Sequence, residues 1–502
     1  MLQNPLFAID FYKVDHRRQY PEGTTEIYSN FTPRSVIHNH NLLSDFDNKV
    51  VVFGIQHFLI DFLYSRFKFG FFNKPVKEVI EAYKDMVMTA LGLEDFDCSH
   101  IEALHNLGYL PICIKALPEG SRCPIGVPVL TIVNTLPEFF WLTNYLETII
   151  SASLWKPMTV ATIAFEFKRL LTQYARKTGA DESFIPYQIH DFSFRGMSGW
   201  DDASICGAAH LALFQGTDSI SAIDLANRMY FAAETVSCVG SSVPATEHSV
   251  MCCNGIDGEY ATIKRLITEV YPEGIVSIVA DSYNFWEVLD VILPSLYKEI
   301  MSRSGKVVIR PDSGNPVGII CGDFFAAEGT PANRGALRML WDTFGGSINP
   351  EGYKVLSPRI GLIYGDSITV DRARLILQIM EEMKFASSNI VFGVGSFSYQ
   401  YVTRDTFGFA MKATSAVING ERRTIFKNPK TDNGKKKSAK GLLMVGLDLE
   451  TGSYTLSEDV SAYTEKDGFL QIVYNNGIME NCTDLCEIRH NLDAELEDKL
   501  GI

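Results

Sequence analysis

The sequence is short of positive charge. Its 502 residues carry 45 Lys and Arg against 60 Asp and Glu, a formal net charge of −15. That deficit argues against a general nucleic-acid binder, which needs a basic footprint. It leaves room for a small anionic substrate, because a few arginines can make a local positive pocket. Paired cysteines are missing too. None of the ten cysteines forms a C-x-x-C motif, and the neighbours Cys252/Cys253 and Cys482/Cys486 lack the flanking ligands of a zinc site. Reduced core thiols in a cytoplasmic protein are the expectation. There is no long uninterrupted apolar run. The most apolar stretch, FFWLTNYLETIISASLW (139–155), carries Thr143, Asn144 and Glu147 and reads as a core helix rather than a membrane span. The opening MLQNPLFAIDFYK has no apolar stretch long enough for a signal peptide. Neither a membrane nor a nucleic acid is therefore expected as a partner.

What is present describes a folded globular chain: 46% hydrophobic and 21% charged residues, over a length that fits two or three domains. The first 150 residues are mixed in texture. Strands are expected at 24–31, 49–55 and within 110–134, and helices at 56–66, 76–91, 137–154 and 158–177. From about residue 187, short apolar runs end abruptly in polar or glycine residues and alternate with helical stretches: YQIHDF, LFQGTDS, VPATEHS, IVSIVADS, VVIRPDSG, IGLIYGDS and IVFGVGS. One marker per run (His190, Asp218, His248, Asp281, Asp312, Asp366, Gly393) gives gaps of 28, 30, 33, 31, 54 and 27 residues. About thirty residues is one strand, one crossover helix and two turns. Repeated β-α units imply a parallel sheet covered by helices, and seven of them favour a closed barrel over an open sheet. The long gap holds an insertion near 324–335. After residue 405 the texture is β-like again and is expected to rejoin the N-terminal segment. The expected architecture is α/β: an irregular β/α barrel over 151–404, with a β-rich second domain built from 1–150 and 405–502. The basic stretch 427–441, with lysines at 435–437, reads as a loop.

In such folds the working groups sit at the carboxyl ends of the strands. There the sequence places Asp218, Asp281, Asp312 and Asp366. A single Asp after a strand is most often a helix N-cap, but four in register with arginines nearby suit Mg²⁺ or ribose hydroxyls. Arg195 and Arg310 offer planar forks to phosphate, with an internal ion pair as the near-even alternative. The glycines of YGDS (364–367) and GVGS (393–396) allow close backbone approach to phosphate. His248 in PATEHS suits a general acid/base, a phosphate acceptor or a structural hydrogen bond. Phe192 and Tyr12 suit stacking on a planar ring, or simply the core. A lyase of the Schiff-base type would need a lysine at a strand end, and the seven runs supply none.

Taken together, DFYKVDHRRQYP (10–21), HDFSFRG (190–196), FQGTDS (214–219), VPATEHS (243–249), VADSY (279–283), IRPDSGNP (309–316), YGD (364–366), FGVGS (392–396) and TRD (403–405) resemble the nicotinamide phosphoribosyltransferase family. The resemblance implies a type II phosphoribosyltransferase-like barrel in a cytosolic homodimer with shared active sites. It implies conversion of nicotinamide and phosphoribosyl pyrophosphate to nicotinamide mononucleotide and pyrophosphate, with Mg²⁺ and with ATP as co-substrate. It further implies that Phe192 and the partner's Tyr12 sandwich the nicotinamide ring, that Asp218 accepts from the carboxamide, and that Arg310 contacts the amide side or the ribose–phosphate. Arg195 would meet phosphate. Asp312, Gly365 and Asp366 would hold ribose hydroxyls, Asp281 and Asp312 would lie at the metal, and Gly395 and Ser396 would seat the 5′-phosphate. Arg34, Arg404, Lys412 and Lys427 would complete the phosphate pocket from the partner, and His248 would be phosphorylated by ATP. Two departures stand out: GVGSF replaces a longer glycine run, and Phe11 stands before Tyr12 where a small polar residue is usual. Nicotinate phosphoribosyltransferase and a non-catalytic nucleotide-binding or signalling protein on the same scaffold are the alternatives.

Overall fold

The computed structural model describes residues 3–36, 45–427 and 438–500. Residues 428–437 of the basic stretch, with the lysines at 435–437, lie outside the described residues.

The repeated apolar runs become short parallel strands. Gly216–Thr217, Ile189–Asp191, Ile390–Val394, Ile360–Tyr364, Ser304–Arg310 and Glu273–Val279 form a six-stranded sheet in that order. The remaining run, around 241–246, is too short and proline-broken for a regular strand. It nonetheless bridges both sheet edges in parallel, Ser241 to Gly216 and Ala245 to Ser277. The Ser241 N–H donates to Gln215 O at 2.7 Å and the Ser277 N–H to Pro244 O at 2.8 Å. All seven runs are thus staves of one closed, irregular barrel, the alternative that seven units favour over an open sheet. Side chains alternate along each stave. Val307 and Ile309 are buried in the core shared with the helices, while Lys306, Val308 and Arg310 line the lumen.

The 54-residue gap holds more than a loop. It contains the helix Pro316–Cys321, the exposed loop with Phe324 and Phe325, the helix Pro331–Phe344, and the hairpin Gly346–Ile348/Lys354–Leu356.

The second layer is an antiparallel sheet drawn from both chain ends. Its order is Glu421–Thr424, Ala410–Ile418, Thr24–Thr32, Leu130–Asn134, Ile112–Ala116, Gln471–Asn475, Ile478–Met479. The expected strand at 49–55 is only Lys49–Val51, because Gly54, at φ +94°, turns the chain into the helix beginning at Ile55. The helix Val76–Leu91 has the expected bounds. The two helices expected at 137–154 and 158–177 are instead a short helix, Leu142–Tyr145, and one continuous helix, Glu147–Thr178, with Pro157 inside it. Its first half (Ile150, Leu154, Met158) packs in the core of the second layer. Its second half (Val160, Ile163, Phe167, Leu171) packs in the barrel core. Burial on two cores offsets the roughly 3 kcal/mol that an interior proline costs a helix. The C-terminal segment ends in a helix, Leu485–Leu500. Its stripe of Leu485, Ile488, Leu492 and Leu496 lies on the barrel core, and Arg489 donates to the carbonyls of Leu211, Cys238 and Val239. Among the described residues no helix is long and apolar enough to cross a membrane, and all ten cysteines are unpaired.

Candidate active site

Because the staves are parallel, their carboxyl ends share one rim. Phe192 follows the strand Ile189–Asp191, and its N–H donates to Val394 O at 2.9 Å. His190 and Phe192, two residues apart, point to the same side, with ring centroids 4.8 Å apart. The ring of Phe192 fills the space over Gly393, where a Cβ would come within 2.4 Å of it. The tight glycine of GVGS is therefore Gly393; a Cβ at Gly395 would meet nothing within 4 Å. The Arg310 guanidinium carbon lies 5.9 Å from the Phe192 centroid. Its Nη2 donates to Thr246 O at 2.6 Å, which anchors the fork to the irregular stave.

Below the ring the lumen is open, a cavity of about 410 Å³. That is within the roughly 300–1,000 Å³ typical of small-molecule sites. It reaches from Phe192, Asp218 and Arg310 at the rim to Phe184, Tyr187 and Lys306 at the far end. Phe192 and Asp218 also line a second hollow outside the rim, with Phe194 and Arg195. The Phe192 ring thus stands at the boundary between the lumen cavity and this outer hollow.

Asp218 sits at the slot's polar edge. Its Oδ1 accepts from Ser242 Oγ at 2.6 Å and pairs with His190 Nε2 at 2.8 Å. Burial pushes its carboxyl up, but the His190 and Ser242 hydrogen bonds and the Arg310 charge outweigh that and hold it below its ordinary value. The group facing the slot is a carboxylate with one oxygen already tied and the other left over.

Two more acids stand together. Asp281 is nearly buried, and its Oδ2 accepts from the Asp312 N–H at 2.9 Å and from Ser313 Oγ at 2.6 Å. Its Oδ1 is buried without a hydrogen bond, as is Asp312 Oδ1. Arg310 Nε lies 3.4 Å from Asp312 Oδ1, close enough to attract but without hydrogen-bond geometry. Burial raises the Asp312 carboxyl above its ordinary value, with Arg310 opposing and Asp281 adding to the rise. His248 is half exposed. Its Nδ1 meets Ser282 Oγ at 3.0 Å, and its Nε2 lies 3.9 Å from Asp281 Oδ1. Among the described residues no three His, Cys, Asp or Glu side chains form a ready-made metal cage. Two orphaned carboxylate oxygens do fit Mg²⁺, which takes one or two protein carboxylates and fills its shell with water and substrate phosphate.

The loops carrying the remaining rim residues touch one another. A Cβ at Gly365 would lie 2.4 Å from Asp312 Oδ1, so only glycine lets that loop approach. Asp366 is exposed beside it. A Cβ at Gly196 would meet Ser396 Cβ at 2.5 Å, so the Arg195 loop rests on the Gly395–Ser396 loop.

The structure gathers Phe192, Arg195, Asp218, His248, Asp281, Arg310, Asp312, Gly365, Asp366, Gly395 and Ser396 at the barrel rim. It does not bring Tyr12, Arg34, Arg404, Lys412 or Lys427 there. Among the described residues no hydrogen bond, ion pair or ring contact links those five to the rim. They belong to the second layer. Tyr12 is 64% exposed in the short helix Phe11–Lys13, and Lys412 lies in the strand Ala410–Ile418. Burial lowers the Lys412 ammonium despite the Glu147 charge, and Arg34, Lys13 and Lys427 lower it further, so these cations form one repelling cluster. The sequence reading missed His190, Ser242, Ser282 and Ser313 as rim partners. His190 was detectable, since period-two alternation puts it on the side of Phe192; the serines carry no comparable signal.

Comparison with known proteins follows the same outline. The model of the nicotinate phosphoribosyltransferase (NAPRTase) family matches residues 187–477, and that of the N-terminal domain of nicotinamide phosphoribosyltransferase matches residues 4–112. A nicotinamide phosphoribosyltransferase of Acinetobacter baylyi is 55% identical over 500 residues, covering 98% of each chain. One of Mycoplasma pneumoniae is 36% identical over 449 residues, covering 86% of this chain and 93% of that one. Among solved structures, a nicotinate-nucleotide pyrophosphorylase from Pyrococcus furiosus superposes with a TM-score of 0.57 at 13% identity, covering 99% of this chain and 97% of its own. Human nicotinic acid phosphoribosyltransferase superposes at 0.53 and 14% identity, covering 97% of this chain and 93% of its own. At those identities the two structures speak to the fold.

Proposed function

The chain belongs to the nicotinamide phosphoribosyltransferase family, and we propose that its barrel rim joins nicotinamide to phosphoribosyl pyrophosphate in NAD salvage. The observation that carries this reading is the junction at Phe192: an aromatic-capped slot with one carboxylate at its edge, opening onto an arginine and two orphaned acids.

The ring would lie against Phe192 with its carboxamide toward Asp218. An amide N–H gains a hydrogen bond there. The carboxylate of nicotinate would meet like charge, so the same residue attracts one base and repels the other. Displacement of pyrophosphate forms the bond from the pyridine nitrogen to the ribose anomeric carbon. It breaks the bond from that carbon to oxygen, and the electron pair leaves with pyrophosphate. The sugar is oxocarbenium-like midway. Holding the ring nitrogen in line supplies much of the rate by proximity. Asp312, Gly365 and Asp366 would hold the ribose hydroxyls, Gly395 and Ser396 the 5′-phosphate, and Arg195 and Arg310 the remaining anionic groups. Mg²⁺ bound by Asp281 and Asp312 would offset charge on the departing pyrophosphate.

Tyr12, Arg34, Arg404, Lys412 and Lys427 fit this scheme as the contribution of a second subunit in a homodimer. His248 fits as the acceptor of a phosphoryl group from ATP: Ser282 engages Nδ1, which leaves Nε2 toward solvent and the acid pair. The unpaired cysteines and acidic surface suit the cytoplasm. Nicotinate phosphoribosyl transfer is a second reading supported by the family match over 187–477; the Asp218 carboxylate weighs against it.

The test is mononucleotide formation from nicotinamide, phosphoribosyl pyrophosphate and Mg²⁺, for the wild type and His248→Ala, with and without ATP. The wild type should form product and be stimulated by ATP, and His248→Ala should keep basal synthesis while losing the stimulation. No product from the wild type would overturn the reaction. Intact stimulation in the variant would overturn the phosphohistidine.

A further inference from the structure

The long helix Glu147–Thr178 crosses from the core of the second layer to that of the barrel, and Lys156 sits at the seam with only 7% exposure. An ammonium taken out of water is costly unless it is paired. Lys156 Nζ donates to Asp202 Oδ2 and to Gln400 Oε1. These acceptors come from two different segments, each just past one of the rim loops. Asp202 lies in the first turn of the helix Trp200–Leu211, and its carboxylate also accepts from the Ser198 N–H at 2.8 Å, just past Arg195. Gln400 lies four residues after Ser396, and its Nε2 donates to Ser198 Oγ at 2.7 Å. The result is a closed ring of bonds: Lys156 to Asp202, Asp202 to residue 198, residue 198 to Gln400, Gln400 back to Lys156. Its members Ser198 and Gln400 lie two residues past Gly196 and four past Ser396, the pair that rest on one another.

We propose that Lys156 is a positioning residue for phosphate binding, setting the distance between the Arg195 loop and the Gly395–Ser396 loop. Without the ammonium, the Asp202 carboxylate keeps the Ser198 N–H, while Gln400 loses its tie to the helix. The two loops then stay linked to each other only through the Gln400–Ser198 hydrogen bond, no longer fixed to the helix, and the anionic substrate must order them on binding. The cost falls on phosphoribosyl pyrophosphate more than on the base, because Asp218 and Arg310 stand on other staves and Phe192, which precedes the Arg195 loop, is held independently by its N–H to Val394 O and by its ring over Gly393. This inference rests on the proposed reading that Arg195 and Ser396 face phosphate.

The experiment measures KM for each substrate, kcat and melting temperature in Lys156→Met, Lys156→Arg, Asp202→Asn and Arg195→Ala. Lys156→Met is expected to raise KM for phosphoribosyl pyrophosphate at least tenfold, with KM for nicotinamide and kcat within about twofold. Asp202→Asn should do the same if Lys156→Met fails to fold, and Lys156→Arg should recover most of the loss. A lower melting temperature with unchanged KM values would make Lys156 a purely structural ion pair and overturn the inference. If Arg195→Ala raises that KM while the Lys156 and Asp202 variants do not, the inference fails and the phosphate reading stands. If Arg195→Ala leaves it unchanged, the phosphate reading itself fails and the inference goes with it.

Discussion

Asp218 stays ionised through neutral and mildly acidic pH because His190, Ser242 and the Arg310 charge outweigh its burial. Its discrimination between bases is accordingly electrostatic. Asp218→Asn keeps the size and one acceptor but removes the charge. The preference for nicotinamide over nicotinate, measured as a ratio of kcat/KM values, should fall at least tenfold, about 1.4 kcal/mol; an unchanged ratio would remove Asp218 from specificity. At this scale the sequence was informative where a rare residue sits at a strand end, as with Arg310 and Asp312 in RPDSGNP. It was silent on Ser242, Ser282 and Ser313, whose type is common and whose use depends on which stave lies alongside. It was equally silent on Lys156. Nothing about a lysine before a proline says that it will meet Asp202 and Gln400 from distant parts of the chain.

Among the elements, the short helix at Ile55 shows how a buried acid serves as a cap. Glu119 Oε2 accepts from the Gly54 N–H at 3.0 Å and Oε1 from the Gln56 N–H at 2.6 Å. Burial still pushes its carboxyl up from 4.5 to about 7, offset only in part by those donors. The folded value lies above the unfolded one. The contribution of Glu119 is therefore fully present below about pH 4.5 and is lost as pH rises through about 7. Between pH 5 and pH 8 the wild type should lose about 2 kcal/mol of unfolding free energy relative to Glu119→Gln. Urea unfolding of both proteins across that range checks it, and parallel curves would contradict it. The barrel's seven staves were visible because apolar runs ending in polar residues recur at one β-α unit. The stave at 241–246 is legible only as the run VPATEHS (243–249), whose start falls two residues after the first bridge at Ser241. The single helix Glu147–Thr178 was not foreseen, because Pro157 reads as a break and the two cores that hold it straight are tertiary. The amphipathic spacing of Leu485, Ile488, Leu492 and Leu496 was present in the sequence, but the β-like texture before it dominated the reading.

The whole molecule holds its candidate substrate groups in two separate places, the barrel rim and the basic cluster on the second layer. A twofold dimer would let each protomer complete its partner's site. Tyr12→Ala and Asp281→Ala should each be strongly impaired for different reasons. Co-expressed at equal levels, they should regain about one quarter of wild-type activity, since half of randomly formed dimers are mixed and each has one intact site. No recovery would mean that each protomer works alone. The fold class could be read from the repeat and the β-like chain ends. That the lumen is open rather than filled could not, since it depends on how seven staves of unequal length close.

One measurement bears most directly on the reaction and on Asp218 together: kcat/KM of the wild-type protein for nicotinamide and for nicotinate, with saturating phosphoribosyl pyrophosphate and Mg²⁺, each with and without ATP. The expected result is product from nicotinamide, stimulated by ATP, and little or none from nicotinate. Efficient turnover of nicotinate with none of nicotinamide would contradict it.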